Sequence, residues 1–445
     1  MKTISGIPVF ELEFDKAGKL FDAAQLSALV SDVATRQATD LILFAHGWNN
    51  DMADARKLYT AFFTAFGAFA PTTANGGSAR AFVGAVVLWP SKKFTDKDLI
   101  PGGGAAALAS QEVAAIRARL KDLANDPVRL GKSVAVSATK QKKIATAEQL
   151  LKRIETDPDA QVEFVRIVRS LLSDKAAHAD DGTKDLFEVS ERKLLDGLRR
   201  PVSATLAVGS GGAAAGSFAT FGGTANGGAA DLGDSIMSGV RRLLNVTTYY
   251  QMKERAGSVG ANGVAAALAK LRQKAPGIRL HLVGHSFGGR VVTAAADAVG
   301  GSSKIDSLTL LQAAFSHNGL AAKFDGKSDG FFRKIVTGKK VRGPILVTCT
   351  KNDTAVGIAY PLASRLGGQN AAAFGDENDP YGGIGRNGAV KTPEAIKGSL
   401  LAANGAYSFA GGSIYNLNAD AFISDHSDIC KPQVAWALAC GIAKT

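Results

Sequence analysis

The stretch from Ile278 to Val299 constrains this chain more than any other. Ile278-Arg279-Leu280-His281-Leu282-Val283 is an apolar run of strand length. It passes through Gly284-His285-Ser286-Phe287-Gly288-Gly289 into a helical stretch that stops at Gly300-Gly301. A strand that turns directly into a helix belongs to a parallel sheet, because parallel neighbours need a crossover, usually helical. The turn is so tight that its flanks can carry no large side chain, and Gly284, Gly288 and Gly289 meet that need.

The remaining segments extend the same pattern. Residues 7–14 read as a strand, followed by a helix through Leu26, Leu29, Val30 and Val33. Asp40 to Ala45 is the continuous apolar run of a central strand covered on both faces. It ends at His46-Gly47-Trp48-Asn49-Asn50-Asp51, where Asn50 or Asp51 can cap a helix reaching about Phe69. Ala81 to Trp89 is another buried strand. From Ser91 to about Asn245 the spacing predicts helices alone, near 111–124, 141–155, 159–173 and 185–199. Asp157 can cap the third, with Pro158 at its first position. Two Gly/Ala-rich segments, Pro101 to Ala109 and Ser203 to Gly233, punctuate this region. A helix near 261–274, strands at 307–313, 344–350 and 413–418, and a helix at 431–442 complete the chain. The division expected is a core of residues 1–90 and 246–445 carrying a mostly helical cap or lid over 91–245. At 445 residues and 46% apolar, the chain can bury both.

Gly284 to Gly288 has the form G-x-S-x-G, a weak signal until its context is known. Gly326-Lys327-Ser328-Asp329-Gly330 has the same form but follows no apolar strand, so Ser328 reads as a surface turn. Ser286 is raised on a bend at the carboxyl end of a strand and the amino end of a helix. A serine hydroxyl needs a base, and the base needs an orienting acid. The chain order to look for is Ser, then Asp or Glu after a later strand, then His after the last strand. Asp353 follows the strand 345–350, and His426 follows the strand 414–418. Of six histidines, His317 is the one serious rival to His426; His285 points away from the nucleophile in such a turn. Developing charge on a carbonyl oxygen needs fixed donors, for which the N–H groups of Phe287 and Trp48 are the candidates.

On these residues the chain resembles the α/β-hydrolase superfamily, and in particular its bacterial esterase and lipase-type members. These carry an H-G-W/Y-N-N loop and a G-H-S-x-G elbow. The resemblance covers roughly residues 1–90 and 246–445. It implies a mainly parallel sheet with helices on both faces, a site at the carboxyl edge, and acyl-enzyme chemistry without a cofactor. The function expected is hydrolysis of carboxylic esters, from small molecules or lipids, by Ser286, His426 and Asp353. A phospholipase, thioesterase or acyltransferase would use the same triad, and a binding protein on a hydrolase fold is the remaining alternative.

Composition narrows the partners. Three cysteines without C-x-x-C spacing suggest buried apolar residues, not a zinc or redox site. No H-x-H or H-E-x-x-H occurs, so no metal is expected. Neither Gly-Lys-Ser has the spacing of a phosphate loop. The net charge of +12 comes from scattered Lys and Arg, which argues against nucleic acid and leaves peripheral contact with an anionic membrane open. The amino terminus has no apolar run of signal-peptide type, which points to the cytoplasm and leaves export by a signal-independent route open. The uncharged stretch from Pro201 to Ala230 is too interrupted by Gly, Ser and Thr to read as a membrane span.

Overall fold

The runs at 40–45, 82–88 and 279–285 are buried over nearly their whole length, which demands a sheet covered on both faces. In the computed structural model, which describes residues 1–48, 50–71, 79–91, 109–124, 137–199, 235–300, 304–356 and 376–445, they form the middle of a nine-stranded sheet. The strands are β1 (Lys2–Ile4), β2 (Ile7–Glu13), β3 (Asp40–Ala45), β4 (Phe82–Leu88), β5 (Arg279–His285), β6 (Ser307–Leu311), β7 (Ile345–Cys349), β8 (Ala395–Ser399) and β9 (Ile414–Asn418). Their order is β1-β2-β4-β3-β5-β6-β7-β9-β8. β1 is antiparallel to β2, and the other pairings are parallel. Two strands lie beyond the sequence reading: β1 has three residues, and β8 is an exposed edge with no apolar alternation.

Parallel pairing brings the carboxyl ends of these strands to one edge. β3 lies between β4 and β5, so the chain leaves it in opposite directions and opens a crevice there. The register Ala45↔Gly284 then sets the His46 loop beside His285.

Helices cover both faces. On one, Ala23–Thr35, Ala265–Lys274 and Phe287–Ala298 bury Leu29, Leu268, Val291 and Ala295. On the other, Met52–Gly67 and Pro432–Ile442 bury Tyr59, Phe63, Phe66 and Leu438. Asp51, not Asn50, caps Met52–Gly67: its carboxylate accepts the N–H groups of Ala53 and Asp54. Asn50 donates instead to the carbonyls of Gly47 and Trp48. Cys349 is buried, and burial pushes its thiol up to about 12.

Residues of 116–250 build a separate apolar core, including Leu120, Phe164, Val168, Leu194 and Leu244. Asp157 and Pro158 start its helix Pro158–Arg169 as the spacing predicts. The helix Ile236–Ser258 serves both cores. Val240 and Leu244 pack in the insertion, whereas Tyr249, Met252 and Ala256 pack on the sheet side. It continues through a π-turn, Val259–Val264, into Ala265–Lys274. The helix expected from 261 therefore begins at 236 and runs unbroken past 245. Buried Ser238, Arg241, Asn245 and Thr248 interrupt its apolar period, which is why the sequence pattern hides it.

A buried polar network fastens the insertion to the core. Lys253 and Asp181, each 2% exposed, are ion-paired, and Lys253 Nζ also donates to Thr183 Oγ1 at 2.7 Å. The Asp180 carboxylate accepts the Phe331 N–H at 2.9 Å, and its carbonyl accepts the Ser316 hydroxyl at 2.6 Å. Arg290 Nε donates to the Lys253 carbonyl at 3.0 Å, with its guanidinium over Phe331 and Phe332. Separating a buried pair exposes each charge to low dielectric alone, so this contact favours one placement of the insertion. The two Gly/Ala-rich segments, Ala109 excepted, lie outside the described residues. Among the described residues, no helix is long and apolar enough to cross a membrane.

Candidate active site

Ser286 joins β5 to the helix Phe287–Ala298 with φ +55° and ψ −126°, a conformation costly for any residue but glycine. The surroundings enforce it. The Ser286 N–H donates to Leu311 O at 3.1 Å, and the Ser286 carbonyl accepts from Gly289 and Ala314 at 2.9 Å each. Gly288 passes so close to β3 that a Cβ there would lie 2.0 Å from Ala45 O. The expected nucleophile is therefore gripped by β3, β6 and its own helix, and is 2% exposed.

The His46-Gly47-Trp48 loop closes over it. A Cβ on Gly47 would meet Ser286 Cβ at 2.7 Å and Oγ at 3.1 Å. The loop is held from below. Tyr59 Oη accepts the His46 N–H at 3.2 Å and donates to Val87 O, while Trp89 Nε1 donates to His46 O at 3.0 Å. Burial lowers the His46 pKa to about 4, and its neutral ring bonds the Gly47 carbonyl at 2.8 Å. Trp48 stands edge-on to Phe287 with ring centroids 5.9 Å apart, and Tyr249 packs on Phe287 at 5.4 Å. The two residues expected to supply oxyanion donors thus adjoin one another beside Ser286. Asn49 lies outside the described residues.

Asp353 follows β7 and is fully buried. Its Oδ1 accepts the Val356 N–H at 2.8 Å, and its Oδ2 lies 2.8 Å from His426 Nδ1. A carboxylate only accepts, so Nδ1 of the neutral imidazole carries the proton and Nε2 keeps its lone pair. The acid loop and the histidine loop are also tied together. Asp420 accepts the Thr350 hydroxyl at 2.9 Å and the Lys351 N–H at 2.8 Å. Asn352 Nδ2 donates to Asp420 O at 3.0 Å and Ile423 O at 2.8 Å.

The structure pairs Asp353 with His426, not with His317. His317 bonds Asn387 at 3.0 Å, and burial lowers its pKa to about 4. His281 belongs to the opposite edge of the sheet, where it bonds Ser307 and Asp40. Ser328 is in an exposed turn, its N–H accepted by Asp325. Sequence reasoning passed over Asn352, Asp420 and the contact of His285 with His426. That contact joins residues 141 apart, and no local signal announces it. Among the described residues, no three His, Cys, Asp or Glu side chains gather as a metal site.

A family model described as the alpha/beta hydrolase fold matches residues 252–345, which span β5, the Ser286 turn and β6. The chain has the α/β-hydrolase fold. In this α/β-hydrolase fold the matched segment carries the strand–turn–helix around Ser286, while Asp353 and His426 lie beyond it. The match supports hydrolase chemistry in general. No curated protein and no solved structure matches the chain.

Proposed function

We propose that the protein is a serine hydrolase of carboxylic esters. The observation that carries this reading is the 2.8 Å contact of Asp353 Oδ2 with His426 Nδ1, at the same sheet edge as the strained Ser286 turn. Ser286 Oγ attacks the ester carbonyl carbon while His426 Nε2 takes its proton. Asp353 orients the ring and stabilises the imidazolium. The N–H groups of Trp48 and Phe287 receive the oxyanion. His426 then returns the proton to the departing alcohol, leaving an acyl ester on Ser286. Water, deprotonated by His426, releases the acid and restores the serine.

Carboxylic esters of water-soluble molecules fit better than esters buried in a lipid interface. The Lys253–Asp181 contact fastens the insertion to the core, which favours a standing wall over a swinging lid. The test is hydrolysis of p-nitrophenyl esters of rising acyl length by wild type and Ser286→Ala. Turnover that vanishes in the variant is the expected result, with short chains preferred. Equal turnover in both proteins would refute the nucleophile assignment.

A further inference from the structure

We infer that His285 is a positioning residue, holding His426 in place by a hydrogen bond to its main-chain carbonyl; this rests on His426 being the base of Ser286. His285 ends β5 and is the chain neighbour of Ser286. Its side chain turns away from the serine, as the tight turn requires, and reaches the histidine loop. Nε2 lies 2.8 Å from His426 O, and the two imidazole centroids are 4.7 Å apart. A carbonyl only accepts, so Nε2 is the protonated nitrogen and donates.

His426 needs such support. It lies in a turn between β9 and the last helix, closed by the Asp428 N–H on the Asp425 carbonyl at 3.3 Å. Asp353 holds the side chain from β7, whereas the bond from His285 acts on the main chain. The His285 bond refers that main chain to β5, the strand that presents the nucleophile. Base and nucleophile are thus one hydrogen bond and one peptide apart. The neighbouring ring is also suited to a base that becomes cationic. Burial, with His426 beside it as the second cause, drives the His285 pKa down to about 3, so His285 stays neutral and adds no competing charge. Misplacing a reacting group by about 1 Å costs on the order of 100-fold in rate.

The test compares wild type, Ser286→Ala, His285→Leu and His285→Gln. It reads kcat and KM on p-nitrophenyl acetate, and the rate of covalent labelling by a fluorophosphonate. Loss of both reactions in Ser286→Ala upholds the serine mechanism; their survival overturns that mechanism and this inference with it. Given their loss, His285→Leu is expected to lower kcat and the labelling rate by roughly 100-fold, with KM changed less than about twofold. His285→Gln, whose amide reaches the Nε2 position, is expected to recover to within about tenfold of wild type. A wild-type rate in His285→Leu, or equal losses in Leu and Gln variants of unaltered melting temperature, would overturn the positioning role and leave the triad standing. Nitrogen-15 shifts of the wild-type imidazoles give a reading that needs no variant. The Nε2–H tautomer at His285 is expected, and the Nδ1–H tautomer would overturn the inference.

Discussion

Oδ2 of Asp353 lies 2.8 Å from Nδ1 of His426, while Oδ1 is taken by the N–H of Val356. The carboxylate cannot rotate without losing both partners, so it fixes which imidazole nitrogen holds the proton. Asp353→Asn keeps the size but presents either an amide N–H or one neutral oxygen to Nδ1. We expect kcat to fall by about 10³- to 10⁴-fold. A stopped assay on a p-nitrophenyl ester, with melting temperature as the folding control, measures it. A loss below tenfold would contradict the orienting role.

Gly47 has no room for a methyl group beside Ser286. A Cβ would lie 2.7 Å from Ser286 Cβ, and Ser286 is held by β3, β6 and its own helix. Gly47→Ala must therefore displace the loop that carries Trp48. The expected result is a kcat reduced by roughly 100-fold with the sheet intact. Unchanged kcat in the alanine variant would show that the loop yields without consequence.

The Lys253–Asp181 pair should behave as a buried charge pair at an interface. Lys253→Met removes the cation paired with the buried Asp181 carboxylate, and we expect about 3–5 kcal/mol of lost stability in urea unfolding. Replacing both, as Lys253→Met with Asp181→Leu, should restore most of it. If the double variant is as weak as the single one, the hydrogen bonds of Thr183 matter more than the charges.

Burial lowers the pKa of four histidines, His281 among them, and three of these carry a pH dependence with a definite window. Burial drives His46 and His317 down to about 4 and His285 to about 3, below the value of about 6.5 that each takes in the unfolded chain. The unfolded state therefore binds protons that the folded state refuses. Their contribution to stability is complete above pH 6.5 and declines as pH falls from 6.5 towards 4. Each supplies a slope approaching about 1.4 kcal/mol per pH unit within that window. Urea midpoints at pH 7, 6 and 5 should fall accordingly, and His317→Asn should flatten the fall by its share. An identical slope in that variant would refute the assignment.

The parts legible in the sequence were those whose cause is local. The runs of β3, β4 and β5 announce buried parallel strands because apolar residues dominate them, with Asp40, Arg279, His281 and His285 the polar exceptions. The Gly284–Gly289 turn announces itself because its geometry admits few side chains. Asp353 and His426 could be placed after their strands by order alone. What stayed hidden depends on distant partners or on a masked period. β8 has no apolar face, so its pairing with β9 leaves no trace in composition. The helix Ile236–Ser258 buries polar side chains on the face that solvent would normally take, so its periodicity looks like a boundary. His285 reads as a spacer until the fold brings His426 to it.

The pairing of Ala45 with Gly284 has a consequence for how the chain comes off a ribosome. The middle of the sheet cannot close when its first strands emerge, because β5 is synthesised only after the whole insertion. Until then β3 presents an unpaired apolar edge, the kind that aggregates when left open. Closure entropy rises slowly with loop length but starts high for a parallel pairing so distant. An insertion with its own apolar core shortens that journey: once ordered, it delivers the helix Ile236–Ser258, and β5 behind it, to the waiting edge. The segment between β4 and β5 thus sets when the middle of the sheet can close, because β5 and the Ser286 turn follow it in the chain.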